Sequence, residues 1–425
     1  MKFNILILLL SVLMVGCDQT DQNVSSPGDY NSYLAINEAR TTSPYFELWN
    51  SKITSDSVEL PSFSAVAGQY NSFFESTGDI TYLKKAEKSL KKAVEIANID
   101  KDKYYRSLSR NYISQHRFKE ALIYADSAAK LGKDLPENQH LLFDIHMELG
   151  NYKKADSLQK LFADPYDFNY IIRAAKWNDY KGDLDRTIMF MEKAKVKAED
   201  SKNRSLLLWV YSNLGDYYGH AGEIEQSYKH YLKTLEIEPS NAYAKKGIAW
   251  IVFSHEDNST EALRILDSIL ESHRSPDLYL LQAEIAEHTG NKDLYDTSMN
   301  NFQNLISNAN YGEMYNAHNL KVYFSESGKE LKAIDLARKE VANRATPETF
   351  QLLALAHLNN GNKKEALKII RNKVEGKTFE PEAQLAMAKV YKANELTSEV
   401  ERLKKELLEA KYELGPVTYK EIQKL

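Results

Sequence analysis

His140 and Asp144 stand four residues apart in a stretch of helical periodicity. They therefore share one helix face a turn apart, as two ligands of a metal ion would. A solvated ion pair needs the same spacing and is the reading adopted. Gly376-Lys377-Thr378 ends like a phosphate-binding loop, but Arg371 occupies the place of the first glycine and no strand precedes it. There are no histidines at metalloprotease spacing, no GxSxG nucleophile elbow and, with one cysteine in the chain, no zinc site. These residues predict a protein that binds rather than reacts, without metal or cofactor.

The single cysteine, Cys17, follows Lys2, an apolar run from Phe3 to Val15, and Gly16, and a polar stretch begins at Asp18. Residues 1–16 read as a secretory signal peptide. Their apolar run is short of the roughly 20 residues of a membrane span. The segment resembles a bacterial lipobox, with Met14 where leucine is commonest. That resemblance implies cleavage before Cys17, acyl chains on it, and a lipid-anchored protein of the cell envelope; each buried methylene holds with about 0.8 kcal/mol. Asp18 resembles an inner-membrane retention signal. Richness in Lys, Asn, Ile and Tyr suggests an AT-rich genome, for which the outer membrane is the expected destination. Residues 17–30, almost devoid of apolar side chains, read as a flexible tether.

Stepping along the chain, glycine (17) and proline (10) are scarce for 425 residues, which predicts helices joined by short turns. From about residue 60 one pattern recurs. In its clearest copy Tyr211, Leu214, Gly215 and Tyr218 share a first-helix face, Gly222 makes a turn, and Ile224, Tyr231 and Leu235 line a second helix before Pro239. This resembles the tetratricopeptide repeat. Ala86, Ala121 and Ala155 lie 35 and 34 residues apart, and Ala333 and Ala366 lie 33 apart. Pro136, Pro165, Pro239, Pro276, Pro347 and Pro381 all fall between proposed hairpins, where no helical hydrogen bond is lost.

The resemblance implies an all-α, right-handed superhelical solenoid of about ten hairpins over residues 61–395. Ala121, Ala155, Gly215, Ala333 and Ala366 would be buried at helix crossings. Residues 31–60, with Tyr45, Phe46, Leu48 and Trp49, would cap one end, and residues 396–425 would form a capping helix and tail at the other. His146, at the position of Tyr112 and Tyr218, would pack against a partner helix.

In this repeat family partners lie along the concave side made by the first helices. Carried onto this sequence, those positions are Arg106, Arg110, His140, Asp144, Arg173, Lys176, Asn213, Asp216, Lys246 and Trp250. Later hairpins add Glu284, Glu287, His288, His318 and Glu326. The face would run from basic near the tether to acidic at the far end, suiting an extended partner of opposite gradient. A net charge of -5 offers no overall attraction to nucleic acid, so no nucleic-acid partner is expected. The resulting expectation is a non-enzymatic, membrane-anchored adaptor that holds a protein or peptide. The alternative is an envelope lipoprotein that captures a solute or glycan.

Overall fold

The computed structural model describes residues 23–54, 59–132 and 135–425, and Cys17 with the residues read as a signal peptide lies outside them. Among the described residues there are helices and no strands. Two short helices come first, α1 (Pro27–Leu34) and α2 (Pro44–Asn50). The first hairpins pair α3 (Leu60–Thr77) with α4 (Ile80–Ile96), α5 (Lys101–Ser114) with α6 (Phe118–Leu131), and α7 (Pro136–Glu148) with α8 (Tyr152–Gln159). Next come α9 (Phe168–Tyr180) with α10 (Leu184–Ser201), α11 (Arg204–His220) with α12 (Ile224–Ile237), and α13 (Ala242–Trp250) with α14 (Ser259–Leu270). The last four pair α15 (Pro276–Thr289) with α16 (Lys292–Ile306), α17 (Asn316–Ser325) with α18 (Glu330–Asn343), α19 (Pro347–Asn359) with α20 (Lys363–Lys373), and α21 (Pro381–Ala393) with α22 (Thr397–Glu409). Helices α3 to α22 thus make ten hairpins, and α23 (Lys411–Ile422) follows.

The prolines place the helix starts. Pro136, Pro276, Pro347 and Pro381 sit in the first turns of α7, α15, α19 and α21, where the missing N–H costs nothing. Small residues set the crossings: Ala86, Ala121, Ala155, Ala333 and Ala366 are all buried, and Gly215 lies against the Tyr231 ring. His146 is buried as expected. A hydroxyl of the partner helix often satisfies a carbonyl at the crossing, as Ser109 does for Ala121 (2.7 Å) and Ser227 for Gly215 (2.6 Å).

The stack coils until its two edges meet. The turn of the first hairpin accepts at Thr77 O from Arg274 N (2.9 Å), between the sixth and seventh hairpins. Tyr311, between the seventh and eighth, packs on Ile80 and Leu83 of α4. Asn343, at the end of the eighth, donates to His116 O (3.4 Å) in the turn of the second. Gly150, in the turn of the third, abuts Ala345 before the ninth, and Phe379, before the tenth, covers Gly182 in the turn of the fourth. Each step along one edge is matched by a step along the other. The first helices consequently line an interior that both edges of the coil border.

Two expectations for the N-terminus are corrected. The tether of residues 17–30 does not extend through its described part, because the outer side of the fifth and sixth hairpins supplies partners that water would otherwise provide. Val24 N and Ser25 N donate to Glu256 (2.9 and 2.7 Å), Tyr30 is buried and donates to Glu261 (2.8 Å), and Tyr228 donates to Asp29 (3.0 Å). Among the described residues of 31–60, the first hairpin is covered by α2 and the residues flanking it, through Phe46 on Phe73 and Val66, with Ile53 beside them. The stretch after α1 crosses the fifth and sixth hairpins, where the buried Lys245 ammonium donates to Ile36 O (2.9 Å).

Candidate interior binding site

Most of the basic residues expected on the inner side of the second to fourth hairpins are already engaged. Arg106 is buried and donates to Asp102 (2.7 Å) and Asn138 (2.9 Å). Arg173 donates to Asp144 (2.6 Å) and to His140 O (3.2 Å), and Lys176 donates to Glu148 (2.8 Å). Arg110 is exposed and, among the described residues, its guanidinium has no hydrogen bond or ion pair; Arg106 and Arg173 stand nearby. The ion pair expected between His140 and Asp144 is replaced by that of Asp144 with Arg173. His140 packs edge-on to Phe162 (4.5 Å between centroids), and burial, helped by Arg173, lowers its pKa to about 4.

The middle of the interior holds a cavity of about 640 Å³. Asp216, Lys246, Trp250, Glu284, Glu287 and His318 from the sequence-derived set all line it, contributed by α11, α13, α15 and α17. Asp216 accepts from the phenols of Tyr231 and Tyr243, both at 2.6 Å, and burial raises its pKa against the pull of those hydrogen bonds. Burial also opposes the charge of Asp277, yet the Lys246 ammonium at 2.6 Å holds it down to about 2. Glu284 has no hydrogen-bond partner among the described residues, and burial raises its pKa to about 7. His318 is lowered to about 4 by burial and by Lys321. A second cavity of about 650 Å³ lies beyond the Lys246 and Asp277 pair, which lines both.

The remaining residues of the set lie elsewhere. Asn213 turns back to its own helix at Trp209 O (2.7 Å), His288 pairs with Asp257 (3.0 Å), and Glu326 lies 3.7 Å from Lys329. Sequence reasoning missed Tyr243, Asp277 and Tyr295. Asp277 carried a signal, since it follows Pro276 and so opens a first helix, where an acid is favoured. It also missed α23, which crosses the interior beside the cavity. Trp250 Nε1 and Ser254 Oγ both donate to Tyr412 O (3.1 and 2.7 Å), and His220 pairs with Glu413 (3.1 Å). Among the described residues no group of three or more His, Cys, Asp or Glu side chains can hold a metal ion. The lining combines fixed acceptors, aromatic walls and a hollow.

No family model and no curated protein sequence matches the chain. Its fold is similar to solved structures built of stacked helical hairpins. A tetratricopeptide repeat protein from Parabacteroides merdae is 17% identical over 56% of this chain and 93% of that one, with a TM-score of 0.39. Yeast Tom70 is 15% identical over 86% and 88%, with a TM-score of 0.39. The human IFIT1 dimer with m7Gppp-AAAA is 14% identical over 73% and 71%, with a TM-score of 0.45. These likenesses concern the fold alone. They do correct one expectation: IFIT1, a protein of similar fold, is described with a capped RNA, so the exclusion of a nucleic-acid partner from net charge is withdrawn.

Proposed function

We propose that this chain is a non-enzymatic binding scaffold of a bacterial envelope membrane, anchored through Cys17, that holds a segment of a protein partner in its interior. The observation that carries this reading is the cavity itself. Its walls come from inward positions of the fifth to eighth hairpins, so one ligand there touches four repeats. Arg110, without an ion pair among the described residues, supplies a basic contact farther along, and the acidic lining of the cavity supplies the opposite charge. That polarity fixes the direction of an extended segment. Capture of a small solute is the second reading, favoured by the size of the hollow, which suits a drug-sized ligand.

Two experiments test it. Peptides selected from a random library on the full-length chain are expected to lose binding on Arg110→Glu or Trp250→Ala and to keep it on Arg264→Glu, an outer-face change. Peptides that bind all three variants equally well rule out the interior. For the anchor, Cys17→Ser should move the protein from the membrane pellet to the soluble fraction, and continued pelleting of that variant would refute the lipid.

A further inference from the structure

The cavity lining is unbalanced in charge. Asp216, Asp277, Glu284 and Glu287 face it, against Lys246 and Lys321. Lys246 is committed to Asp277 (2.6 Å), and Lys321 is drawn away to Glu382 (2.7 Å) outside the lining. His318, held neutral, adds no positive charge. Among the described residues Asp216, Glu284 and Glu287 therefore make no ion pair with a Lys or Arg, although His220 and Lys246 act on Asp216, and Lys321 on Glu284, from farther off. Asp216 is also fixed in place, since both of its oxygens accept phenolic hydrogens.

The rest of the wall is aromatic and apolar. Tyr243, Trp250 and Tyr295 contribute rings, and Leu280, Met299 and Val322 contribute aliphatic surface. Ring faces attract a desolvated cation, and an aliphatic wall receives the stem that carries it. A bare inorganic cation would have to shed its water here without a group of three acidic or histidine ligands to replace it among the described residues, and an anion would meet carboxylates. A neutral ligand would leave them unpaired in a partly dry hollow, which is costly.

We infer that the cavity is a site for an organic cation, an ammonium or guanidinium on an apolar stem, with Asp216 and Glu284 as its counter-charges. This rests on the interior being the binding site and names what enters it. Two sources share this chemistry: a lysine or arginine side chain of a bound protein segment, and a free amine.

Titration calorimetry on the full-length chain separates the cases. Phenethylamine, its N-acetyl derivative and phenylacetate share one stem and differ in charge; the first should bind at least about tenfold more tightly than the other two, the worth of a hydrogen bond to a charged group. Glu284→Gln and Asp216→Asn should each weaken it by about tenfold. Circular dichroism confirms that the variants fold, and Glu271→Gln, an outer-surface change, serves as the control. Equal binding of all three compounds, or cation binding that survives both variants, overturns the inference. Acetyl-Ala-Lys-Ala-amide against its norleucine counterpart then identifies the source. Binding of the lysine peptide supports a protein ligand. Binding of phenethylamine alone keeps the cation site and turns the protein-partner reading into one of solute capture.

Discussion

The indole Nε1 of Trp250 donates to the main-chain carbonyl of Tyr412, 3.1 Å away, and so ties the segment after the tenth hairpin to the wall of the interior cavity. Ser254 Oγ shares that carbonyl at 2.7 Å, and Gly415 follows at φ 76° and ψ 165°, splitting α23 in two. A side chain at Gly415 would bring its Cβ to 2.7 Å from Glu284 Oε1 and 2.8 Å from the Trp250 ring.

Gly415→Ala should therefore combine backbone strain with a steric clash. The expected cost is about 1 to 3 kcal/mol. Hydrogen exchange should accelerate across residues 411–425 while the first four hairpins stay protected. Unchanged exchange there would mean that α23 is held without the fit at Gly415.

Stability should fall on the alkaline side through His220. Burial opposes its charge, but Glu413, with Asp216 and Asp179 behind it, lifts its pKa from 6.5 to about 9. A group whose folded pKa is raised contributes fully below the unfolded value and is lost as pH rises through the folded one. The loss should therefore run from about pH 6.5 to 9. Because His220 is partly open to water, the effect is modest. Melting temperatures across that range should drop for the natural chain and lose this component in His220→Asn.

Ala121→Leu should destabilise by about 1 to 3 kcal/mol through overpacking. Ala121 is fully buried at the crossing of α5 and α6, where Ser109 holds its carbonyl. Urea denaturation measures the loss, and a neutral result would displace the repeat register.

Arg106 and Arg110 should part company on charge reversal. Arg106→Glu removes a buried guanidinium from Asp102 and Asn138 and should cost about 3 to 5 kcal/mol. Arg110→Glu should leave stability nearly unchanged and alter only what the interior binds. Denaturation curves and peptide binding on the two variants separate these effects.

The repeat was legible because packing leaves periodic marks: alanines at crossings 33 to 35 residues apart and prolines at helix starts. Part of the inward set was legible too: Asp216, Lys246, Trp250 and Glu284 meet at one cavity, whereas Asn213, His288 and Glu326 lie off it. Whether such a residue is free was not. Arg106 and Arg110 are the same residue type on one helix, and only the fold reveals that Asn138 claims the first. The closure of the coil left no periodic mark either, since it arises from small rotations between hairpins and from single contacts such as Gly150 on Ala345. The same holds for Tyr30 and Tyr412, which lie outside the repeat and dock on it through one or two hydrogen bonds and ring packing.

The meeting of the two edges has an evolutionary corollary. In an open solenoid each unit touches only its neighbours, so units can be duplicated or lost with little effect elsewhere. Here, removal of one hairpin between the fourth and the eighth would leave Ala345 no longer opposite Gly150, and Phe379 no longer opposite Gly182. Every later loop would be out of step by one unit. Loss of a hairpin inside that span is thereby penalised in this chain, where an open stack would tolerate it.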